Sequence, residues 1–286
     1  MNLQIKNAML ASMLMLSLLP RTTWGALYSV TQTNLVIVDP LNPSNTTIVG
    51  PHNLPSQVGR VDALAYNPET DTLFGIGDNP GQGDNFLLSF DRASGNATVI
   101  SNLGNATSVG YFEGFEYVDA LHSLVVATNQ LSNPAQSTEL LTINSSGVTT
   151  SLVSTSLDND AAVYDPLHNL FYTVDPNGVG QFAEVNLTTG ISTNLGAIPL
   201  PYLVEFAFQA SDANIYGITP YTNELYQIHT TNGSSPLSIV SLGTVAGDEI
   251  HGLASAPLSV PEPATWNLLT AGVLSLLGYR GKHRNV

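Results

Sequence analysis

Short apolar runs separated by turn residues recur along the central part of the chain. Val61-Asp-Ala-Leu-Ala-Tyr66 is followed by the polar Asn67-Pro-Glu-Thr-Asp71 and then by Thr72-Leu-Phe-Gly-Ile76. Asn85-Phe-Leu-Leu-Ser-Phe-Asp91, a Ser94-Gly-Asn96 turn and Ala97-Thr-Val-Ile100 complete the phrase. β-Branched and aromatic residues alternate within the runs, and no segment sustains a helical period, so the pattern predicts four short strands joined by turns. The phrase returns from Phe112, Asn159 and Leu203, and the steps from Tyr66 to Tyr117, Tyr164, Phe208 and Ser255 are 51, 47, 44 and 47 residues. Asp39, Asp91, Asn144 and Asn186 end the third strands. Each is expected to accept a bond from the backbone two residues on and so start the turn into the fourth strand. The Asn-x-Thr/Ser triplets at Asn45, Asn96 and Asn186 read as part of this turn chemistry rather than as glycosylation acceptors.

One copy is divided. Ile250-His-Gly-Leu-Ala-Ser255 reads as a first strand with no successors. Ala26–Val30, Asn34–Asp39 and Thr46–Val49 read as second, third and fourth strands with no first. Together they make one more four-stranded unit built from both termini, which closes a ring and leaves no long unpaired edge. The expectation is an all-β chain with five blades over residues 26–257. The phrase Leu-Ala-Tyr-x-Pro, Leu-x-Gly, Leu-x-x-Phe-Asp, Thr resembles β-propeller repeats of secreted bacterial proteins. The resemblance is specific for the β-propeller architecture and weak for activity, and the count of copies makes it a five-bladed β-propeller.

The two ends differ from the body. Residues 1–25 carry Lys6, an apolar run from Ala8 to Leu19, the breaker Pro20 and small residues before Ala26, the order of a secretory signal peptide. Residues 258–286 carry Pro261-Glu262-Pro263, then sixteen residues from Ala264 to Tyr279 that are largely apolar, then Arg280, Lys282 and Arg284. Two prolines hold Glu262 in an extended segment. The apolar stretch suits a short membrane helix, and the positive-inside rule keeps the basic tip cytoplasmic and the body outside. This order resembles the PEP-CTERM sorting signal of Gram-negative secreted proteins. The resemblance implies recognition and removal of the tail by an exosortase-type membrane protease, and an association with exopolysaccharide or biofilm. It also implies an inner-membrane intermediate followed by placement at the cell surface or in the extracellular matrix.

Charge narrows the function classes. Of seven basic residues, five lie in the first 21 or last 7 positions, so residues 26–260 keep only Arg60 and Arg92 against 21 acids, a net of −19. Such a surface repels phosphate backbones and excludes nucleic acid as a partner. A body without lysine excludes Schiff-base chemistry and a P-loop. The absence of cysteine excludes disulfides and thiolate metal sites.

Aligning the copies puts Asp62, Glu113, Asp160, Val204 and His251 at one position of the strand nearest the channel, with Glu205 one residue on. Carboxylates packed around an axis raise one another's pKa, which a cation, ordered water or the histidine would relieve. Hard oxygen donors favour calcium or magnesium. The alternatives at this position are a structural channel wall, a cation or ligand site, and a catalytic pair. Asp78–Asp84 and Asp158–Asp160 lack EF-hand order, and the first reads as a polar loop. His52, His122, His168 and His229 have no metal spacing and are expected in exposed loops. No Gly-x-Ser-x-Gly or His-Glu-x-x-His motif is present. The function these features predict is a non-enzymatic surface or matrix protein that binds glycan, a cation or another protein. A channel-mouth glycan hydrolase and a purely structural matrix component are the alternatives.

Overall fold

The computed structural model describes residues 25–79, 82–105, 111–129, 138–157, 161–175, 180–198, 205–231 and 234–258. Residues 1–24 of the expected signal peptide, residues 259–286 with Pro261-Glu262-Pro263, Asp160 and Val204 lie outside them. Twenty strands are grouped into five antiparallel four-stranded sheets. In chain order the first three are β1 (Gly25–Val30), β2 (Asn34–Val38) and β3 (Thr47–Pro51). Blade I is β4 (Arg60–Asn67), β5 (Thr72–Asn79), β6 (Asp84–Phe90) and β7 (Ala97–Asn105). Blade II is β8 (Tyr111–Val118), β9 (Ser123–Asn129), β10 (Thr138–Ile143) and β11 (Thr149–Thr155). Blade III is β12 (Ala161–Asp165), β13 (Leu170–Asp175), β14 (Gln181–Val185) and β15 (Ser192–Ala197). Blade IV is β16 (Glu205–Gln209), β17 (Asn214–Thr219), β18 (Glu224–Thr231) and β19 (Ser234–Thr244). The last strand, β20 (His251–Pro257), pairs with β1 and completes blade V in the order β20-β1-β2-β3.

The innermost strands β20, β4, β8, β12 and β16 touch in succession and back to β20, so the ring is closed. The fold is a five-bladed β-propeller. Blade V is the divided copy: Gly25 faces Pro257 and Leu27 faces Ser255 across β1 and β20.

Five apolar clusters fill the five interfaces between blades, which is why inner strands are buried on both faces. Tyr28, Leu64 and Phe90 join blades V and I. Ala63, Phe74 and Phe115 join I and II, and Val125, Ala162 and Phe171 join II and III. Between III and IV, Phe182 stacks on Tyr172 at 5.2 Å and meets Phe206 edge-on at 5.9 Å, both favoured aromatic geometries. Leu27, Ile218 and Leu253 join IV and V. The outermost strands are half in water; β11 and β15 keep only Thr155 and Leu195 buried.

The expected turn chemistry is present at the ends of β2, β6, β10 and β14, the four third strands for which it was expected. Oδ1 of Asp39, Asp91, Asn144 and Asn186 accepts from the N–H of Leu41, Ala93, Ser146 and Thr188, each at 2.9 Å. A second device sits between first and second strands. Asp71, His122, Asn169 and Ala213, each five residues beyond the aligned aromatic, all adopt positive φ near 50–57°.

Three expectations are corrected, the first being His229, which is exposed but lies within β18, paired with Ser238, rather than in a loop. Asp78–Asp84 is no long loop: Asp78 pairs with Asn85 and Asn79 with Asp84, so β5 and β6 run almost to the hairpin tip. His52 is buried rather than exposed, with Nε2 3.3 Å from the Thr31 carbonyl, because the end of β3 is bonded to blade I through Ala97 N–H. Among the described residues no helix is long and apolar enough to cross a membrane. The sixteen-residue candidate, 264–279, lies outside them.

Candidate functional site

Three innermost strands are bulged at the aligned acidic position. Asp62 is skipped between the Val61–Gly77 and Ala63–Ile76 pairs. Glu113 and Gly114 together oppose one residue of β9. Gly252 is the extra residue between His251 and Leu253. A bulge re-aims the side chains around it, which here frees them from the ladder. Gly252 needs its φ of +63°, and a Cβ there would sit 3.0 Å from Leu64. A Cβ on Gly114 would meet Ala162 N at 2.6 Å. The inner strands therefore approach closely just beyond the bulges.

Asp62 and His251 are brought into one charged group with three residues that the alignment did not single out: Arg60, Asp78 and Glu249. Arg60 Nε lies 2.7 Å from Asp62 and 3.2 Å from Asp78. His251 Nε2 lies 3.6 Å from Glu249. Burial, reinforced by Asp78 and opposed by Arg60, pushes Asp62 up to about 7. Burial also raises Asp78 and lowers His251. One of the body's two arginines thus occupies the place that a cation would take. Among the described residues no three carboxylate or imidazole groups are arranged to hold a metal ion. Asp160, the remaining candidate, is outside them, and Glu113 is half-buried on its bulge.

Glu205 lies deeper. Register places it level with Ala63 and Ala161, and in sequence with Gly114 and Gly252. Four blades carry a small residue where blade IV carries a carboxyl. Glu205 is 1% exposed, and its Oε2 has no hydrogen-bond partner among the described residues. Burial raises it well above the usual range, and Glu116, Asp62 and Glu113 add to the rise.

At the other end of the inner strands is a cavity of about 550 Å³. Tyr66, Tyr117, Tyr164 and Phe208, the repeat-aligned aromatics of blades I to IV, line it together with Ser255 of blade V. The left-handed residues of the adjoining turns fix two of the rings. Tyr66 donates to Asp71 Oδ1 at 2.6 Å, and Tyr164 donates to Asn169 Oδ1 at 2.9 Å. Burial and the neighbouring Glu69 carboxylate push the Tyr117 hydroxyl up to about 12. Arg92 lies 5.1 Å over the Tyr66 ring, pairs with Asp71 and donates from Nη1 to the Pro257 carbonyl at 2.5 Å. A largely apolar wall with few polar groups is the usual character of a ligand cavity.

Two acids belong to this cavity, and the repeat alignment did not select them. Burial, with Asp119 adding to it, pushes Glu116 up to about 8, against the Tyr117 N–H that donates to its Oε1 at 2.9 Å. Asp119 is raised by burial and then by Glu69. Glu116 is thus protonated at neutral pH and can donate a hydrogen bond. A signal was available: Ala65, Val163, Ala207 and Ala254 stand at its position in the other copies. Asp62, Glu113 and His251 do not line this cavity.

No family model matches the chain. No curated protein is similar to it in sequence. A chain of the nidogen/laminin complex has a similar structure, at 10% identity and a TM-score of 0.55, over 82% of this chain and 100% of that one. So does the PQQ-bound aldose sugar dehydrogenase of Streptomyces coelicolor, at 11% identity and a TM-score of 0.50, over 81% of this chain and 84% of that one. At such identities the likeness extends to the fold alone.

Proposed function

We propose that this chain is an exported glycan-binding module of the cell surface or extracellular matrix, sorted through its Pro-Glu-Pro tail by an exosortase-type protease. The observation that carries the reading is the cavity at one mouth of the channel, where four blades each supply an aromatic ring. The flat, apolar faces of sugar rings stack on such side chains: the half-buried Tyr66 and Phe208 offer ring surface, Tyr117 and Tyr164 form the buried floor beneath them, and Glu116, raised to about 8, adds a donor for a hydroxyl. Rings already held by their turns lose little freedom when a ligand arrives. A net charge of −19 on the body favours neutral polysaccharide over anionic polymer. A laminin-complex chain and a sugar dehydrogenase share the architecture, so the reading rests on the cavity and not on the likeness.

The test is calorimetric titration of residues 25–260 with neutral oligosaccharides cut from the matrix polysaccharide. Phe208→Ala should weaken binding at least about tenfold, equivalent to ~1.4 kcal/mol. Asp62→Asn, at the far end of the channel, should leave it within twofold. Equal effects from both would remove the cavity as the site.

The second reading, a glycan hydrolase, is favoured by one observation: Glu116 and Asp119 are both raised and share the cavity. A protonated carboxyl beside a second carboxyl is the equipment of glycoside hydrolysis. Under that reading the same oligosaccharides are cleaved, and Glu116→Gln abolishes cleavage while keeping binding.

A further inference from the structure

The aromatic cavity has a sign as well as a shape. Glu116 is half-buried and lines it together with Asp119. Backbone dipoles stand behind the Glu116 carboxyl. The Tyr117 N–H donates to Oε1 at 2.9 Å, and the Tyr164 backbone favours the same charged form. Donors placed in this way suit a carboxylate better than an acid whose own O–H needs an acceptor. What the carboxylate lacks is a positive charge in front of it. Its charged neighbours are acids, Asp119 on the same blade and Glu205 across the axis. The basic side chains of the adjoining turns are engaged elsewhere: Arg92 with Asp71, His122 with Glu69 and His168 with Asp165. No lysine, arginine or histidine is among the described residues that line the cavity. Burial without such a partner is what keeps a proton on Glu116, and a cation in the cavity releases that proton to solvent.

The walls indicate the kind of cation. Aromatic faces attract an ammonium through the ring quadrupole, whereas a hard metal ion takes a shell of oxygen donors. Arg92, 5.1 Å over the Tyr66 ring, is a cation already held in this way at the rim. A volume of about 550 Å³ is far larger than an ion and suits a ring-sized organic ligand.

We infer that the cavity selects sugars that carry a free, protonated amine, with Glu116 as counter-ion and the half-buried Tyr66 and Phe208 as stacking faces. The inference rests on the glycan reading and narrows it: the feature recognised is the ammonium on the sugar. N-Acetylation removes that charge and sets a carbonyl oxygen against the carboxylate. The acidic body acts in the same direction, because its field draws a cationic polymer toward the disc.

The test uses residues 25–260, which hold all twenty strands of the closed ring. They are titrated by calorimetry near pH 7, just below the range of an α-amino group. The probes are short glucosamine oligomers, their fully N-acetylated counterparts, and choline, an ammonium without a sugar. The amine oligomers should bind at least about tenfold more tightly than either of the others. Glu116→Gln should bring amine and N-acetyl forms within about twofold of each other, while Phe208→Ala weakens both alike. The comparison of the three probes on the unaltered chain decides the preference without any variant. Equal binding of amine and N-acetyl forms overturns the inference and leaves the glycan reading standing. Choline binding as tightly as the amine oligomers overturns it too, because the site then reads an ammonium and not a sugar. An amine preference that survives Glu116→Gln also overturns it, as attraction to the acidic body alone. Binding by none of the oligomers removes the glycan reading and this inference with it.

Discussion

Glu205 carries a carboxyl where the other blades carry alanine or glycine, and its burial sets how the molecule answers pH. An acid whose pKa is higher in the folded than in the unfolded chain gives its full relative stability below the unfolded value. That stability is lost as pH rises toward the folded value. Asp62 at about 7 and Glu116 at about 8 act in the same direction. The protein should therefore melt at a higher temperature near pH 5 than near pH 8. Glu205→Gln keeps the volume and removes the proton equilibrium. Thermal unfolding should show the pH dependence flattened, with a Tm at pH 8 raised by roughly 2–4 °C for each ~1 kcal/mol regained. An unchanged slope would place the cost elsewhere. The repeat alignment placed Glu205 one residue beyond the acidic position, whereas Glu116 was visible only as a departure from the alanine and valine of the other copies. Asp62 and His251 were aligned from the sequence, but Arg60, Asp78 and Glu249, which join them, were not. Sequence spacing cannot show which charges a bulge turns toward one another.

The turns between first and second strands are the elements that fix the aromatic rim. Asp71, His122, Asn169 and Ala213 take the same left-handed conformation at the same offset, and only two of them accept from the ring above. Asn169→Ala removes the Tyr164 acceptor and places alanine where asparagine is better tolerated. A destabilisation of about 1–2 kcal/mol in denaturant unfolding is expected, with weaker glycan binding as the Tyr164 ring loosens. Ala213→Asn should have the opposite sign on stability, with no change in binding, because Phe208 has no hydroxyl to satisfy. The third-strand turns were legible because Asp and Asn bond their own backbone locally. The bulges were not, because a bulge is a mismatch with a partner strand that one strand alone does not display. Asp78 and Asn79 misled for a related reason: they are poor strand formers held in the ladder by Asn85 and Asp84.

At the scale of the whole molecule, the ring was legible because a four-strand phrase repeated and its two missing parts lay at opposite ends. The closing pairs of β1 with β20 make the disc one cooperative unit. Ending the chain at Ile250 strips the inner strand of blade V and uncovers apolar partners in blades I and IV. Circular dichroism and calorimetry should find no cooperative transition in that variant. A permutant that joins Pro257 to Gly25 by a short linker and opens the chain between β15 and β16 should keep its Tm within a few degrees, because the pair is already adjacent.

The split blade also orders events in time. Synthesis supplies β1, β2 and β3 first and β20 after the other nineteen strands. Until β20 arrives, blade V lacks its inner edge and the ring has a gap. A chain that cannot finish folding while it is being made remains threadable, which suits passage through a narrow translocation pore. Under the proposed export, closure would fall on the far side of that pore, once β20 has followed the other strands across.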